Sequence, residues 1–335
     1  MQRIQWALLL PAVVALALLP ACSTRSKPRA EGQFGNYTLL ATKYDYTDPS
    51  KAKDNVADVL TQLRNEPNVC LIGLWAYNPP AILAAVKEAN LQGKVKIVGF
   101  DEDENTLQGI KDGYIEATVV QQPFLFGYES VKRLADMGKK KIGFVSNNSA
   151  EFWTIAEAGC RKAEKEFGVE VYFRRPRNPT AADQKEIIDD LLTKGIEGIA
   201  ISVIDPVNQH DYLNEIAEKV VLITQDNDAP QTKRKLYIGT DNYRAGRVVG
   251  ELVKQAMPQG GYIAIFVGQP DPINARERRQ GVLDALAGKE MPPDASTSDP
   301  AIVHVPHKIV RKGGSGENVV DVEVFHQELK KLLGK

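Results

Sequence analysis

The sequence predicts an α/β protein of two lobes, each a parallel sheet flanked by helices. Three observations predict it. The chain has 335 residues, and at roughly 150 residues per folding unit that is room for about two cores. Short apolar, β-branched runs alternate with segments of helical period, the pattern of successive βα units. The runs are almost unbroken hydrophobics rather than in-out alternations, so their strands are covered on both faces.

The elements follow in chain order. Met1 to Cys22 carries Arg3, an apolar run from Trp6 to Leu19, and Pro20-Ala21-Cys22, which is the grammar of an export signal. Leu19-Pro20-Ala21-Cys22 resembles a bacterial lipobox, so Cys22 is the expected lipidation point. Residues 23–35 are polar with Gly and Pro and are expected to be a tether. From Tyr37 onward, strands are expected at Val69 to Trp75, Val95 to Phe100, Lys141 to Val145, Ile199 to Ile204, Val220 to Thr224 and Tyr262 to Val267. Between them, Val56/Val59/Leu60/Leu63, Phe152/Ile155/Ala156/Gly159/Cys160/Ala163 and Ile187/Ile188/Leu191/Leu192 keep i, i+3, i+4 spacing, so one stripe of each helix packs on a sheet. Asn78 before Pro79-Pro80 fits a helix N-cap, and Gly113, Gly168 and Gly195 fit helix exits. Cys70 and Cys160 sit among apolar neighbours and are expected in the core. Gly313-Gly314-Ser315-Gly316, before a helical tail from Val319 to Leu333, reads equally as a flexible linker or a turn.

Composition narrows the function. Forty-two Lys and Arg against 43 Asp and Glu leave a net charge of −1, without the basic excess of a nucleic-acid binder. Three cysteines make no disulfide framework, and no Cys/His spacing resembles a structural zinc site. There is no Walker loop, no Gly-x-Gly-x-x-Gly after a strand and no Gly-x-Ser-x-Gly elbow. His304-x-x-His307 falls in an apparent strand and reads as exposed strand residues; His210 and His326 read as ordinary surface or half-buried side chains. Asp101 and Asp103 read as loop chemistry. The chain is therefore expected to be no enzyme and to need no cofactor or metal.

In open parallel sheets ligands sit beyond the carboxyl ends of the strands. The residues there are polar: Asn78, Asp101, Gln121, Asn147, Asn148, Asp205, Asp226, Asn227 and Gln269, among the aromatics Tyr46, Trp75, Tyr77, Phe152 and Trp153. Carboxylates and amides exchange hydrogen bonds with hydroxyl pairs, and aromatic faces cover the C–H faces of a ring. A small neutral sugar suits that mixture.

Ile142 to Asn148 with Phe152-Trp153, Thr224 to Asn227, Ile238 to Asn242, Ala275 to Arg278 with Gly281, Val98 to Asp101, and Ala117 to Pro123 together resemble the type I periplasmic sugar-binding proteins of the ribose- and galactose-binding group. The resemblance implies two Rossmann-like lobes joined by a hinge. It implies ligand contacts from Asn147, Asn148, Phe152, Trp153, Asp226 and Asn227 on one lobe, and from Arg276, Tyr46, Asn78, Asp101 and Gln121 on the other. Asn227 stands where ribose binders usually have Arg, so the resemblance does not fix the sugar. It further implies a monomer on the outer face of the membrane or in the periplasm, handing sugar to the permease of an ABC transporter. A sensor of the same fold feeding a membrane kinase or chemoreceptor is the alternative, and a sugar-acting enzyme ranks below it. The segment order departs from the family, since its later half comes first here. The chain reads as a circular permutant, joined near Met137-Gly138-Lys139 and opened before Tyr37. One lobe is then expected from 36–121 with 237–290, the other from 122–236, and 291–335 as a tail crossing between them.

Overall fold

The computed structural model describes residues 30–270 and 272–334. The export segment, Cys22 and residues 23–29 of the tether lie outside the described residues. No described helix is long and apolar enough to cross a membrane.

The chain opens with β1 (Gly32–Phe34) and β2 (Tyr37–Tyr44). It then runs α1 (Pro49–Leu63), β3 (Val69–Gly73), α2 (Asn78–Glu88), β4 (Val95–Phe100), α3 (Glu104–Lys111) and β5 (Ala117–Val120). Helix α4 (Pro123–Asp136) leads away to β6 (Lys141–Val145), α5 (Phe152–Phe167), β7 (Glu170–Arg174), α6 (Ala181–Thr193), β8 (Gly198–Ile201), α7 (His210–Lys219), β9 (Val221–Gln225) and β10 (Tyr237–Gly239). Helix α8 (Asn242–Ala256) leads back to β11 (Gly261–Val267) and α9 (Ile273–Leu286). The tail forms β12 (Ile302–His304), β13 (Lys308–Arg311), β14 (Val319–Asp321) and α10 (Val322–Leu333).

Two sheets result. The first lobe is built on β1-β2-β11-β3-β4-β5-β13-β14, the second on β12-β10-β9-β8-β6-β7. Pairing is parallel except β1 on β2 and β13 on β5. In the second sheet the chain lays down its first five strands so that the spatial order is second, first, third, fourth, fifth, the flavodoxin-like winding. The first sheet shows the same order, β2-β11-β3-β4-β5, once β11 is counted as its first strand.

Local chemistry explains the elements. Asp48 caps α1 by accepting from the backbone N–H of Ser50 and Lys51, with Pro49 in the first turn, and Ala52, Val56, Val59, Leu60 and Leu63 form its buried stripe. Each fully buried aliphatic side chain of that kind contributes about 1.5–3 kcal/mol. Strand β3 is buried throughout, and α5 stops at Gly168, whose φ of 62° suits a residue without Cβ. Cys70 and Cys160 are buried free thiols.

Several expectations shift. The end of the supposed tether is strand β1, held as Glu31 accepts from the N–H and hydroxyl of Thr42. Strand β10 falls in the second sheet, not with 237–290 in the first, because its neighbours are β9 and β12. Tyr77, not Asn78, holds the N-cap position of α2. Gly313 to Gly316 form the connection between β13 and β14, with positive φ at Gly313 and Gly316.

Helices α4 and α8 each leave one lobe and pack on the first helix of the other, α5 and α9. Both crossings are made close by glycine. A methyl on Gly127 or Gly159 would overlap the carbonyl of Ala156 or Phe124, and one on Gly246 or Gly281 would overlap that of Arg278 or Tyr243.

Candidate functional site

The carboxyl ends of the two sheets face a shared cleft of about 260 Å3. From the first lobe come Thr47, the Trp75–Tyr77 loop after β3, Asp101 after β4, Gln121 after β5, and Asn274 and Arg278 of α9. From the second come Asn147, Asn148, Phe152 and Trp153 after β6, and Asp226 and Asn227 after β9.

Arg278 anchors the first lobe's side. Its side chain is 2% exposed. Nε donates to Asn242 Oδ1 at 2.9 Å and Nη1 to the Leu74 carbonyl at 3.0 Å, while the guanidinium lies 3.8 Å from the Phe100 ring centre. Asp101 Oδ2 stands 3.6 Å from Nη1, and Asp101 Oδ1 accepts from Gln121 Nε2 at 2.8 Å. A buried cation is tolerated only when so surrounded. Burial pushes the Asp101 carboxyl up, against the pull of Arg278 and Gln121. Behind the rim, buried Asp45 accepts from Tyr77 Oη at 2.5 Å and Asn78 Nδ2 at 2.9 Å, and Asn78 Oδ1 accepts from Trp75 N at 3.0 Å. These bonds fix the loop that presents Trp75. Trp75 Nε1 and Asn274 Oδ1 are buried with no hydrogen-bond partner among the described residues, polar atoms that a ligand in the cleft can satisfy.

The second lobe is built on amides. Trp153, 1% exposed, donates from Nε1 to Asn147 Oδ1 at 3.1 Å, which leaves Asn147 Nδ2 to reach Asp226 Oδ2 at 3.4 Å. Ser202 Oγ also donates to Asp226 Oδ2, at 2.9 Å. Burial raises the Asp226 carboxyl to about 6, although the Ser202 bond and the Arg278 charge across the cleft both favour its ionised form.

Asp101 and Asp226 occupy matching places. Each follows the fourth strand of its sheet, each has positive φ (62° and 59°), and each donates its N–H to the fifth strand, at Val119 O (2.7 Å) and Ile238 O (3.0 Å). Left-handed backbone is costly outside glycine and tolerated best by Asp and Asn. Its repetition marks a position where turning the carboxylate into the cleft outweighs that cost.

Of the residues expected here, Asn147, Asn148, Phe152, Trp153, Asp226, Asn227, Asp101 and Gln121 line the cleft. Three do not. Tyr46 is 56% exposed, with the Lys51 ammonium 4.4 Å from its ring centre. Asn78 is buried behind the cleft wall, holding the Trp75 loop. Arg276 is exposed on another side of α9, at a separate pocket with Tyr44 and Gln269. Arg278, two residues on, takes the place assigned to it, because two helical positions turn a side chain by about 200°. The signal was in the sequence: Ala275, Arg278 and Val282 share the 3.6-residue stripe that α9 buries. Thr47, Trp75, Tyr77 and Asn274 were likewise absent from the assigned set.

His304 is not an exposed strand residue. Its Nδ1 contacts Asp294 Oδ1 at 2.7 Å, and Asp241, Asp294 and His304 gather within 4.8 Å. Arg244 Nε lies 3.2 Å from Asp241 and 3.8 Å from Asp294, so a guanidinium already supplies the positive charge there.

The Periplasmic binding protein domain family matches residues 26–141 and 142–318. The chain belongs to that family, one of non-enzymatic solute-binding proteins with this two-sheet α/β fold. The Ribose import binding protein RbsB of Bacillus subtilis (strain 168) is 24% identical over 152 residues, 44% of this chain and 50% of that protein. The Xylose/arabinose-binding protein XylF of Sulfolobus acidocaldarius is 26% identical over 121 residues, 32% of this chain and 30% of that protein. The chain thus spans about half the length, or less, of these curated relatives. Among solved structures, an ABC transporter solute-binding protein from Burkholderia graminis C4D1M in complex with D-arabinose is 28% identical, with a TM-score of 0.43 over 50% of this chain and 54% of that one.

Proposed function

We propose that this periplasmic binding protein captures a monosaccharide between its lobes and presents the closed, loaded form to the permease of an ABC sugar transporter. The observation that carries this reading is the convergence of Arg278, Asp101 and Gln121 from one sheet with Asp226, Asn147 and Asn227 from the other, beside Trp75 and Phe152. A ligand that touches both sets favours closure by the contacts that exist only when the lobes approach. Sugar hydroxyls can both donate to the two carboxylates and accept from the guanidinium and amides, and a missing hydroxyl leaves a buried partner unpaired at a cost of about 1–3 kcal/mol. The names of the relatives support the same class of ligand, since they bind ribose, xylose or arabinose. Function in the periplasm or on the outer face of the cytoplasmic membrane, with Cys22 lipidated, accords with the export signal; the mass of the mature N terminus tests it.

We also infer that the segment order is a circular permutation. Moving β11 and α9 ahead of β2 gives both sheets one winding order, and Gly35, just before β2, lies against the carbonyl of Leu286 at the end of α9. The family's break would then be closed by residues 137–140 between α4 and β6. A chain rebuilt to start at Lys139, with α9 joined to β2 and the tail from residue 291 carried after α4, should fold and bind as this one does.

The function is tested by titrating the mature protein with a panel of pentoses and hexoses while following fluorescence of Trp75 and Trp153. A saturable response to at least one sugar is expected; silence to all of them overturns the reading.

A further inference from the structure

Helix α10 begins beyond residue 318, where the family match ends. Its first turns are fixed to the first lobe. Asp321 caps it, Val322 is buried, and Phe325 and Leu329 pack on the outer core of that lobe. Glu323 pairs with Lys111 Nζ at 2.9 Å. One turn later His326 is held between Lys111 Nζ, 2.6 Å from Nδ1, and Glu104 Oε2, 2.8 Å from Nε2.

Lys111 ends α3 and Glu104 begins it, so α10 climbs α3 from its C-terminal to its N-terminal end. That N-terminal end adjoins the cleft, because α3 follows the carboxyl end of β4 and the cleft residue Asp101. Seven residues remain after His326, about 10 Å of helix at ~1.5 Å per residue. Helix α10 also lies against α5, the first helix of the second lobe. One helix therefore touches both lobes.

Carboxyl groups crowd where the lobes meet: burial, with Asp101 and with Glu151 of the second lobe, holds the Glu102 carboxyl of the first lobe well above the usual range. The last turn of α10 carries Lys330 and Lys331, cations placed at the end of a helix whose own dipole favours them. We propose that α10 is a strap: anchored on α3, it spans to α5 and restrains the lobes from opening in the unliganded protein. A separation of the lobes must detach it from α5 or lift it from α3.

Two variants of the full chain test this without touching the cleft. Lys330→Glu with Lys331→Glu reverses the charge of exposed side chains, and Leu333→Asp places a charge at the half-buried end of the helix. Amide hydrogen exchange is followed at residues 152–156 and across α3, and the radius of gyration is measured by small-angle scattering. Exchange at 152–156 should quicken by about tenfold in either variant as the lobes part more often, the radius of gyration should rise, and α3 should be unchanged. Wild-type protein in about 1 M salt, where the Debye length is ~3 Å, should shift in the same direction. Unchanged exchange and an unchanged radius in the charge-reversed chain overturn the proposal, as does faster exchange confined to α3 and α10.

Discussion

The two lobes carry the same scaffold and present opposite chemistry. Each winds its sheet in one order, sends the helix after its fifth strand to the other lobe, seats that helix on a glycine pair, and turns a left-handed Asp into the cleft after its fourth strand. They differ in the helix after the first strand. In the first lobe α9 supplies Arg278, a cation whose partners Asn242, Leu74 and Phe100 belong to its own lobe. In the second, α5 supplies Trp153, which orients an amide, and Asp226 accepts from the neutral donors Asn147 and Ser202. Burial resists ionisation of both Asp101 and Asp226, but only the first half sets a cation of its own beside its carboxylate. A repeated fold thus fixes where functional groups stand, and single residues on one helix decide their sign.

The sharpest way to break that contrast is Arg278→Ala. It leaves Asp101 buried without its cation, and removal of one partner from a buried pair costs about 3–5 kcal/mol. Chemical denaturation should register that loss and sugar binding should disappear, while Arg276→Ala, on the exposed side of α9, should leave both unchanged.

The shared scaffold predicts equal damage at equivalent places. Gly159→Ala and Gly281→Ala each drive a methyl into the backbone of the crossing helix, and each should lower the unfolding free energy by about 1–3 kcal/mol. A much smaller loss at one site would show that the two crossings are not alike.

Asp226→Asn probes the half without a cation of its own beside its carboxylate. The folded-state value of about 6 lies above the ordinary 3.8, so the native chain binds this proton more tightly than the unfolded one. Its contribution to stability is greatest in acid and declines as pH rises from about 4 through 6. The substitution should therefore stabilise the unliganded protein by up to about 3 kcal/mol at pH 7.5, with the gain vanishing near pH 4 in thermal melts. Wild-type affinity for sugar should fall below pH 6 as the acceptor is protonated.

The smallest effect is expected at the rim. Tyr46→Ala should change stability by less than about 0.5 kcal/mol and leave titrations unaltered, since the ring is exposed under Lys51.

Much of this was legible in the residues. Strand composition and helix stripes are local properties, so βα alternation, the glycine exits at 168 and 195, and polar strand ends could be read without knowing what packs on what. Asp101 and Asp226 stood out because polar residues end apolar runs. Tyr46 and Asn78 misled because the same residue types that bind hydroxyls also build turns and brace loops. Arg276 misled because motif matching counts positions, whereas burial follows the helical angle.

By itself the sequence determined the fold class, the segments that become strands and helices, and the chemical types gathered at strand ends, since period and composition act over a few neighbouring residues. Only the tertiary structure decided that β10 joins the second sheet, that the tail threads both sheets, that Arg278 rather than Arg276 enters the cleft, and that α10 reaches the opposite lobe. Those outcomes depend on hydrogen-bond partners and packing surfaces contributed by segments far apart along the chain, in some cases more than two hundred residues away, and no local pattern encodes a partner at that separation.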